Sequence, residues 1–262
     1  KDKMTALTAS APGKAILFGE HAVVYGQPAI AVPIFHVLAK AIFKADIQAP
    51  QGRIWIQSDA IGLDSSLDDL DTDNPLKLAI LNTLTHFEVK SVPALRVKID
   101  SSIPVASGLG SGAAVSAAII RGVAGFLGQE IADEDVSRIA YESEKLYHGT
   151  PSGIDNTVVS YGKAVWFEKG APIELLEIGR PFTLLVADTG ISSNTKAVVE
   201  DVRAAWKADA HTYEALFEAV GTISQKARKA LRLGQVESLG DLMNENQTLL
   251  EKMGVSSPAL EK

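Results

Sequence analysis

The sequence predicts an α+β fold on three observations: strand-like alternation dominates the first half, helical periodicity fills almost everything after residue 194, and no internal repeat or regular βαβ alternation runs along the chain. With 262 residues, 46% hydrophobic and 22% charged, the chain has the balance of a soluble globular protein and can bury a sizeable core in one large domain or two closely packed ones. It has no cysteine, which excludes disulfides, zinc-thiolate sites, iron–sulfur clusters and cysteine nucleophiles, and fits a reducing compartment. The net charge of −7, from 32 acidic and 25 basic residues, comes without a basic stripe and argues against nucleic acid as a partner. Apolar runs stop short of the roughly 20 residues of a membrane-spanning helix, and Lys1-Asp2-Lys3-Met4 has no signal-peptide core, so the expected location is the cytoplasm. Met4 behind three residues reads as a tag remnant or a trimmed end.

Residues 5–18 alternate and then run apolar through Ala15-Ile16-Leu17-Phe18, which reads as strand with a turn at Pro12-Gly13; residues 29–45 continue as strand. The stretch 58–74, with Asp68, Asp69, Asp71 and Asp73, reads as a solvated acidic loop without the ligand spacing of a calcium site. It ends in Asn74-Pro75, a start signal for a helix over 75–87. Leu95-Arg96-Val97-Lys98-Ile99 alternates as a half-buried strand and leads through Ser101 and Pro104 into a glycine-rich turn, then a helix over 111–127. A second helix over 132–147 opens with acidic residues suited to its positive end, and a turn at Gly149-Thr150-Pro151-Ser152-Gly153 follows. Residues 162–170 and 182–187 read as strands, and helices are expected near 194–207, 211–232 and 235–253.

Three constellations can carry chemistry. In Pro104-Val105-Ala106-Ser107-Gly108-Leu109-Gly110-Ser111-Gly112-Ala113-Ala114, small residues let backbone approach an anion just where unpaired amides and the positive end of a helix face it. This stretch matches neither the G-x-x-x-x-G-K-[ST] nor the dinucleotide pattern, and its residues alone also suit a tight turn into a packed helix. Glu144, Lys145, His148, Ser152 and Asp155 span the end of one helix and the start of the next. There Glu144 can ligate Mg²⁺ and Asp155 can orient or deprotonate a hydroxyl, or the two can be a surface carboxylate and a helix cap. Lys14, Glu20 and His21 lie in an apolar segment where charge is costly unless paired or facing a cleft. His36, His86 and His211 have no partner pattern and read as structural or surface residues.

In this order the constellations resemble the GHMP small-molecule kinases, in their mevalonate kinase branch. Ala11-Pro12-Gly13-Lys14 with Phe18-Gly19-Glu20-His21-Ala22-Val23-Val24-Tyr25-Gly26 resembles the first motif, and Gly108 to Ala114 the second, ATP-phosphate-binding motif. His148-Gly149-Thr150-Pro151-Ser152-Gly153-Ile154-Asp155-Asn156 resembles the segment that carries the catalytic aspartate. Ala187-Asp188-Thr189-Gly190, Thr195-Lys196, Met243-Asn244-Glu245-Asn246-Gln247 and Gly254-Val255-Ser256 fit as well, so the resemblance covers nearly the whole chain.

The resemblance implies two α+β domains with the active site between them: residues 5–180 ribosomal-protein-like and ATP-binding, and 181–262 ferredoxin-like and incomplete. It implies transfer of the ATP γ-phosphoryl group to the 5-hydroxyl of mevalonate, with ATP and Mg²⁺ required. Asp155 would be the base or hydroxyl-orienting residue, and Lys14 would stabilise charge beside it. Glu144 and Ser111 would hold Mg²⁺, and Pro104, Ser107, Gly108, Leu109, Gly110, Ser111, Gly112 and Ala113 would wrap the phosphates. Glu20, His21, Ser152 and Thr189 would lie near the alcohol or the phosphates. The expected partners are a small-molecule substrate and a second copy of the chain in a homodimer, with no nucleic acid and no membrane.

Two departures stand out. The family loop reads Gly-Leu-Gly-Ser-Ser, whereas Gly112 follows Ser111 here, so Ser111 or water must replace a hydroxyl commonly offered to the metal. The family's third motif, a glycine-rich loop near the C-terminus, is absent, and the chain ends in Pro258-Ala259-Leu260-Glu261-Lys262, which reads as the first turn of another helix; the expectation is a truncated chain or a natural short version. The alternatives are a kinase for phosphomevalonate or another small alcohol, and a nucleotide-binding sensor of the same fold that lost catalysis. Glu20-His21 and the 148–156 segment favour mevalonate, and the presence of Lys14, Glu144 and Asp155 together argues against a sensor.

Overall fold

The computed structural model describes residues 6–148, 151–191 and 195–260, so Gly149 and Thr150 of the third constellation lie outside the described residues, as do the side chains of His148, Thr195 and Lys196. The fold is α+β, and the described residues form two compact units: one from 6–13, 34–104, 109–148 and 151–162, the other from 14–33, 105–108, 163–191 and 195–260. Two long strands, β1 (Leu7–Phe18) and β2 (Ala29–Ala45), pair with each other, and each contributes residues to both units. The turn expected at Pro12-Gly13 is not there. β1 runs unbroken, because β2 is its one neighbour among the described residues and a missing proline N–H is tolerated on such an edge.

In the first unit, β3 (Ile54–Ser58), β4 (Leu63–Ser66) and β5 (Leu95–Ser101) give the strand order β4-β3-β5-β2. β5 lies antiparallel to the second half of β2, pairing Ala39 with Ser101 and Ala45 with Leu95, and β3 runs parallel to β5. The acidic stretch 58–74 is therefore not a simple loop: it holds β4 and two 3₁₀ turns, anchored by buried Ser66 and Leu67. Alternation in β5 buries Leu95, Val97 and Ile99 and exposes Arg96, Lys98 and Asp100. Four helices pack with that apolar face: α1 (Pro75–His86), α2 (Ser111–Phe126), α3 (Asp133–His148) and α4 (Ile154–Tyr161). Asn74 caps α1 by accepting from the Leu76 and Lys77 amides at 3.0 and 3.4 Å, with Pro75 at the first helical position. Gly122 admits the Phe43 ring against α2, since a Cβ there would lie 1.9 Å from Phe43 Cε2. Arg121, late in α2, bonds Asp133 at the start of α3 at 2.7 Å. Both helices bury residues in the same core cluster, α2 through Ile119, Ile120 and Val123 and α3 through Val136, Ile139 and Ala140.

In the second unit, β6 (Val165–Phe167) pairs antiparallel with the start of β2, Ala29 opposite Phe167, and the two-residue β7 (Glu174–Leu175) adds to β6. The helices are α5 (Thr195–Ala208), α6 (Ala210–Leu233) and α7 (Leu239–Lys252). Leu17, Phe18, Ile30, Trp166, Ile223, Leu231 and Leu242 form one core cluster, and Ala22, Val202, Phe217, Val220 and Met253 a second. The strand expected over 182–187 is not formed. Phe182 and Leu184 do pack on the first of these clusters, but Leu185 is 91% exposed and the backbone finds no ladder partner among the described residues. Among the described residues no helix is long and apolar enough to cross a membrane.

Candidate active site

The start of α2, in the first unit, presents backbone amides, while residues 105–108 of the preceding glycine-rich stretch belong to the second unit. Ala106, Gly108 and Gly110 have φ of 57°, 76° and 72°, so left-handed backbone recurs at every second residue. Gly110 is the N-cap of α2 and no side chain caps the helix, which leaves the first-turn amides of Ser111, Gly112 and Ala113 without intrahelical partners; the first helical bond runs from Ala114 N–H to Gly110 O at 3.0 Å. Gly13 of the first motif backs onto this loop, its Cβ position lying 3.3 Å from the Leu109 carbonyl oxygen. Pro104 and Gly108 are exposed, Ser107, Leu109 and Ser111 half-buried, and Ala113 buried. Gly112 is exposed, with nothing within 4 Å of the place a Cβ would take.

Glu144 is half-buried near the end of α3. Mg²⁺ bound with a nucleotide takes phosphate and water oxygens for most of its shell and needs only one or two protein oxygens. By their chemistry the half-buried Glu144 carboxylate and Ser111 hydroxyl are oxygen donors of that kind. Lys145 turns instead to Glu142, at 3.1 Å.

Asp155 lies in the first turn of α4, half-buried, behind Gly153 at φ 91°. Three bonds fix this turn: Ser152 Oγ accepts from Ile154 N–H at 3.4 Å, Thr157 Oγ1 donates to Gly153 O at 2.7 Å, and Asn156 Nδ2 donates to Ser137 Oγ at 2.9 Å. The aspartate is thus held on a short helix that is itself pinned to α3.

The second unit brings Lys14 and Glu20 together. Lys14 projects from β1 at 6% exposure. β1 ends at Gly19, where φ is 97° and a Cβ would lie 2.5 Å from Ala29 Cα. The Ala22 N–H donates to the Glu20 carbonyl at 2.6 Å across His21, whose φ of 60° and ψ of −48° make this a γ-turn of the rare, strained kind. Glu20 Oε2 accepts from Asn246 Nδ2 of α7 at 3.0 Å. Burial pushes the Glu20 carboxyl above the ordinary glutamate range, while its own backbone N–H, Asn246 and the Lys14 charge pull it back. Burial also pushes the His21 imidazole down, toward its neutral form. Tyr25 closes the turn, stacked on Phe217 with centroids 4.0 Å apart.

Thr189 lies on an exposed stretch, where its Oγ1 accepts from Ile191 N–H at 3.3 Å and Asp188 Oδ1 accepts from Gly190 N–H at 3.0 Å. Sequence reasoning gave Asn246 no role. The available signal was a polar residue on the buried face of α7, where Leu239 and Leu242 precede it at helical spacing.

The family model for the GHMP kinases N terminal domain matches residues 75–163. Over 271 residues the chain is 35% identical to the mevalonate kinase of Thermococcus sibiricus, an alignment covering 96% of this chain and 79% of that protein. Its structure is similar to the crystal structure of the L. major mevalonate kinase in complex with R-mevalonate, with a TM-score of 0.77 and 27% identity over 98% of this chain and 78% of that one. It is also similar in fold to the Methanococcus jannaschii mevalonate kinase, with a TM-score of 0.79 and 23% identity over 99% and 83% of the two chains.

Proposed function

Because the chain belongs to the mevalonate kinase family of GHMP kinases, we propose that it transfers the γ-phosphoryl group of ATP to the 5-hydroxyl of mevalonate, giving 5-phosphomevalonate and ADP. Within the structure, the observation that carries the substrate is the Glu20-His21 turn. Its strain persists because Gly19 packs onto Ala29 and Asn246 holds Glu20, a cost that a plain connecting loop has no reason to bear.

In this reading the Asp155 carboxylate takes the proton of the 5-hydroxyl as its oxygen bonds to the γ-phosphorus and the bond to the bridging oxygen breaks, releasing ADP. Lys14 offsets negative charge on the reacting groups. The amides from Gly108 to Ala113, with Pro104 and Ser107 shaping the approach, hold the phosphates. Glu144 and Ser111 hold Mg²⁺, which when bound neutralises phosphate charge. Glu20, His21, Ser152 and Thr189 contact the alcohol or the phosphates, and the neutral His21 ring offers one donor and one acceptor. The proposal includes residues 5–180 as the ATP-binding and catalytic domain, residues 181–262 as the C-terminal domain, the cytoplasm as location and a homodimer as assembly.

Phosphorus NMR of the products after incubation with Mg-ATP and mevalonate tests the reaction. A 5-phosphomonoester with stoichiometric ADP is expected. Phosphate at another position moves the chain to a sister branch, and ATP binding without any product favours the sensor.

A further inference from the structure

Asn246 occupies a position where packing alone favours leucine. It shares the buried face of α7 with Leu239 and Leu242 and is 3% exposed. Its Nδ2 is committed to Glu20 at 3.0 Å, across 226 residues of sequence, and its Oδ1 is buried without a partner. A buried amide with an unmet acceptor costs free energy that an apolar side chain of similar size avoids. Among the described residues, the bond to Glu20 is the one compensation. Among the described residues, Lys14 from β1 is the charged group that acts on that carboxyl, and Asn246 is the neutral donor from α7.

We propose that Asn246 is a positioning residue for the acceptor alcohol: by donating to Glu20 it fixes that carboxylate as an acceptor for a substrate hydroxyl, so its contribution is to alcohol affinity rather than to phosphoryl transfer. This rests on the assignment of Glu20 to the substrate site. Without the donor, the Glu20 carboxyl loses one of the influences that pull its pKa down against the rise that burial causes.

The test compares the parent chain with Asn246→Leu and the isosteric Asn246→Asp. For Asn246→Leu, the KM for mevalonate should rise about tenfold or more, while kcat and the KM for ATP stay within about twofold. The acidic limb of kcat/KM should move to higher pH, and further still in Asn246→Asp, where two carboxyls share the site. Infrared titration of the protonated-carboxyl stretch, assigned by its loss in Glu20→Gln, follows the same group without turnover and should show Glu20 protonating at higher pH in both variants. A pH limb and an infrared titration that both stay in place, whatever happens to melting temperature, would leave Asn246 a packing residue and overturn the proposal. If Asn246→Leu does not fold, Asn246→Asp carries the comparison. A parent chain that does not turn over mevalonate overturns the substrate reading instead, and the infrared titration still decides whether Asn246 controls Glu20.

Discussion

The loop that opens α2 and the turn that follows β1 present polar groups in opposite ways. At the start of α2 the groups are the backbone amides of Ser111, Gly112 and Ala113, which follow the left-handed N-cap Gly110. At residues 14–25 they are side chains, with Glu20 tied to Asn246 on α7 and influenced by Lys14. A site built from backbone depends on conformation, so its weak points are the residues at positive φ. A site built from side chains depends on identity, so its weak points are the partners, however far away in sequence.

The comparison breaks or sharpens under substitution, beginning with the largest expected effect. Asp155→Asn removes the proton acceptor while leaving both binding surfaces in place, and kcat should fall about 10²- to 10⁴-fold with ATP affinity retained. Steady-state kinetics with nucleotide-binding calorimetry measures both quantities, and an equal loss of ATP affinity would move Asp155 from chemistry to structure. Gly19→Ala places a Cβ 2.5 Å from Ala29 Cα at φ 97°, and urea unfolding should show a loss of about 3 kcal/mol or more, with mevalonate affinity falling in whatever fraction folds. Gly110→Ala is gentler: a left-handed alanine costs about 1–2 kcal/mol, and the KM for ATP should rise while that for mevalonate holds. If Gly110→Ala raised both KM values equally, the two surfaces would not be separable. The smallest effect belongs to Gly112→Ser. Space is open there and the helix gains a better former, so stability should rise by a few tenths of a kcal/mol; titration of activity against Mg²⁺ should show a lower metal requirement.

Much of this was legible in one dimension. Asn74-Pro75 announced α1 because capping and the fixed proline φ are local, and the spacing of small residues announced the α2 start because backbone approach needs an absent Cβ. The strand expected over 182–187 failed for the complementary reason. Alternation describes which side chains can face a core, and Phe182 and Leu184 do so, but a strand also needs a neighbouring backbone, which alternation does not supply. β3 and β4 were hidden by the acidic residues around them, since Asp59 and Asp64 lie on the open face while Ile54, Ile56 and Ser66 carry the burial.

The sequence by itself determined the fold class, the glycine-rich start of α2, the motif residues Lys14, Glu20, His21, Glu144 and Asp155, and the family they resemble. These depend on residue type and short spacing, where the physics is local. Only the tertiary structure decided that Asn246 bonds Glu20, that His21 is held in a strained γ-turn, and that Asn156 ties α4 to Ser137 of α3. Each of these depends on which segments fold against one another. Burial then fixes what a side chain can bond, and how much its charge costs, through neighbours that the linear order does not name.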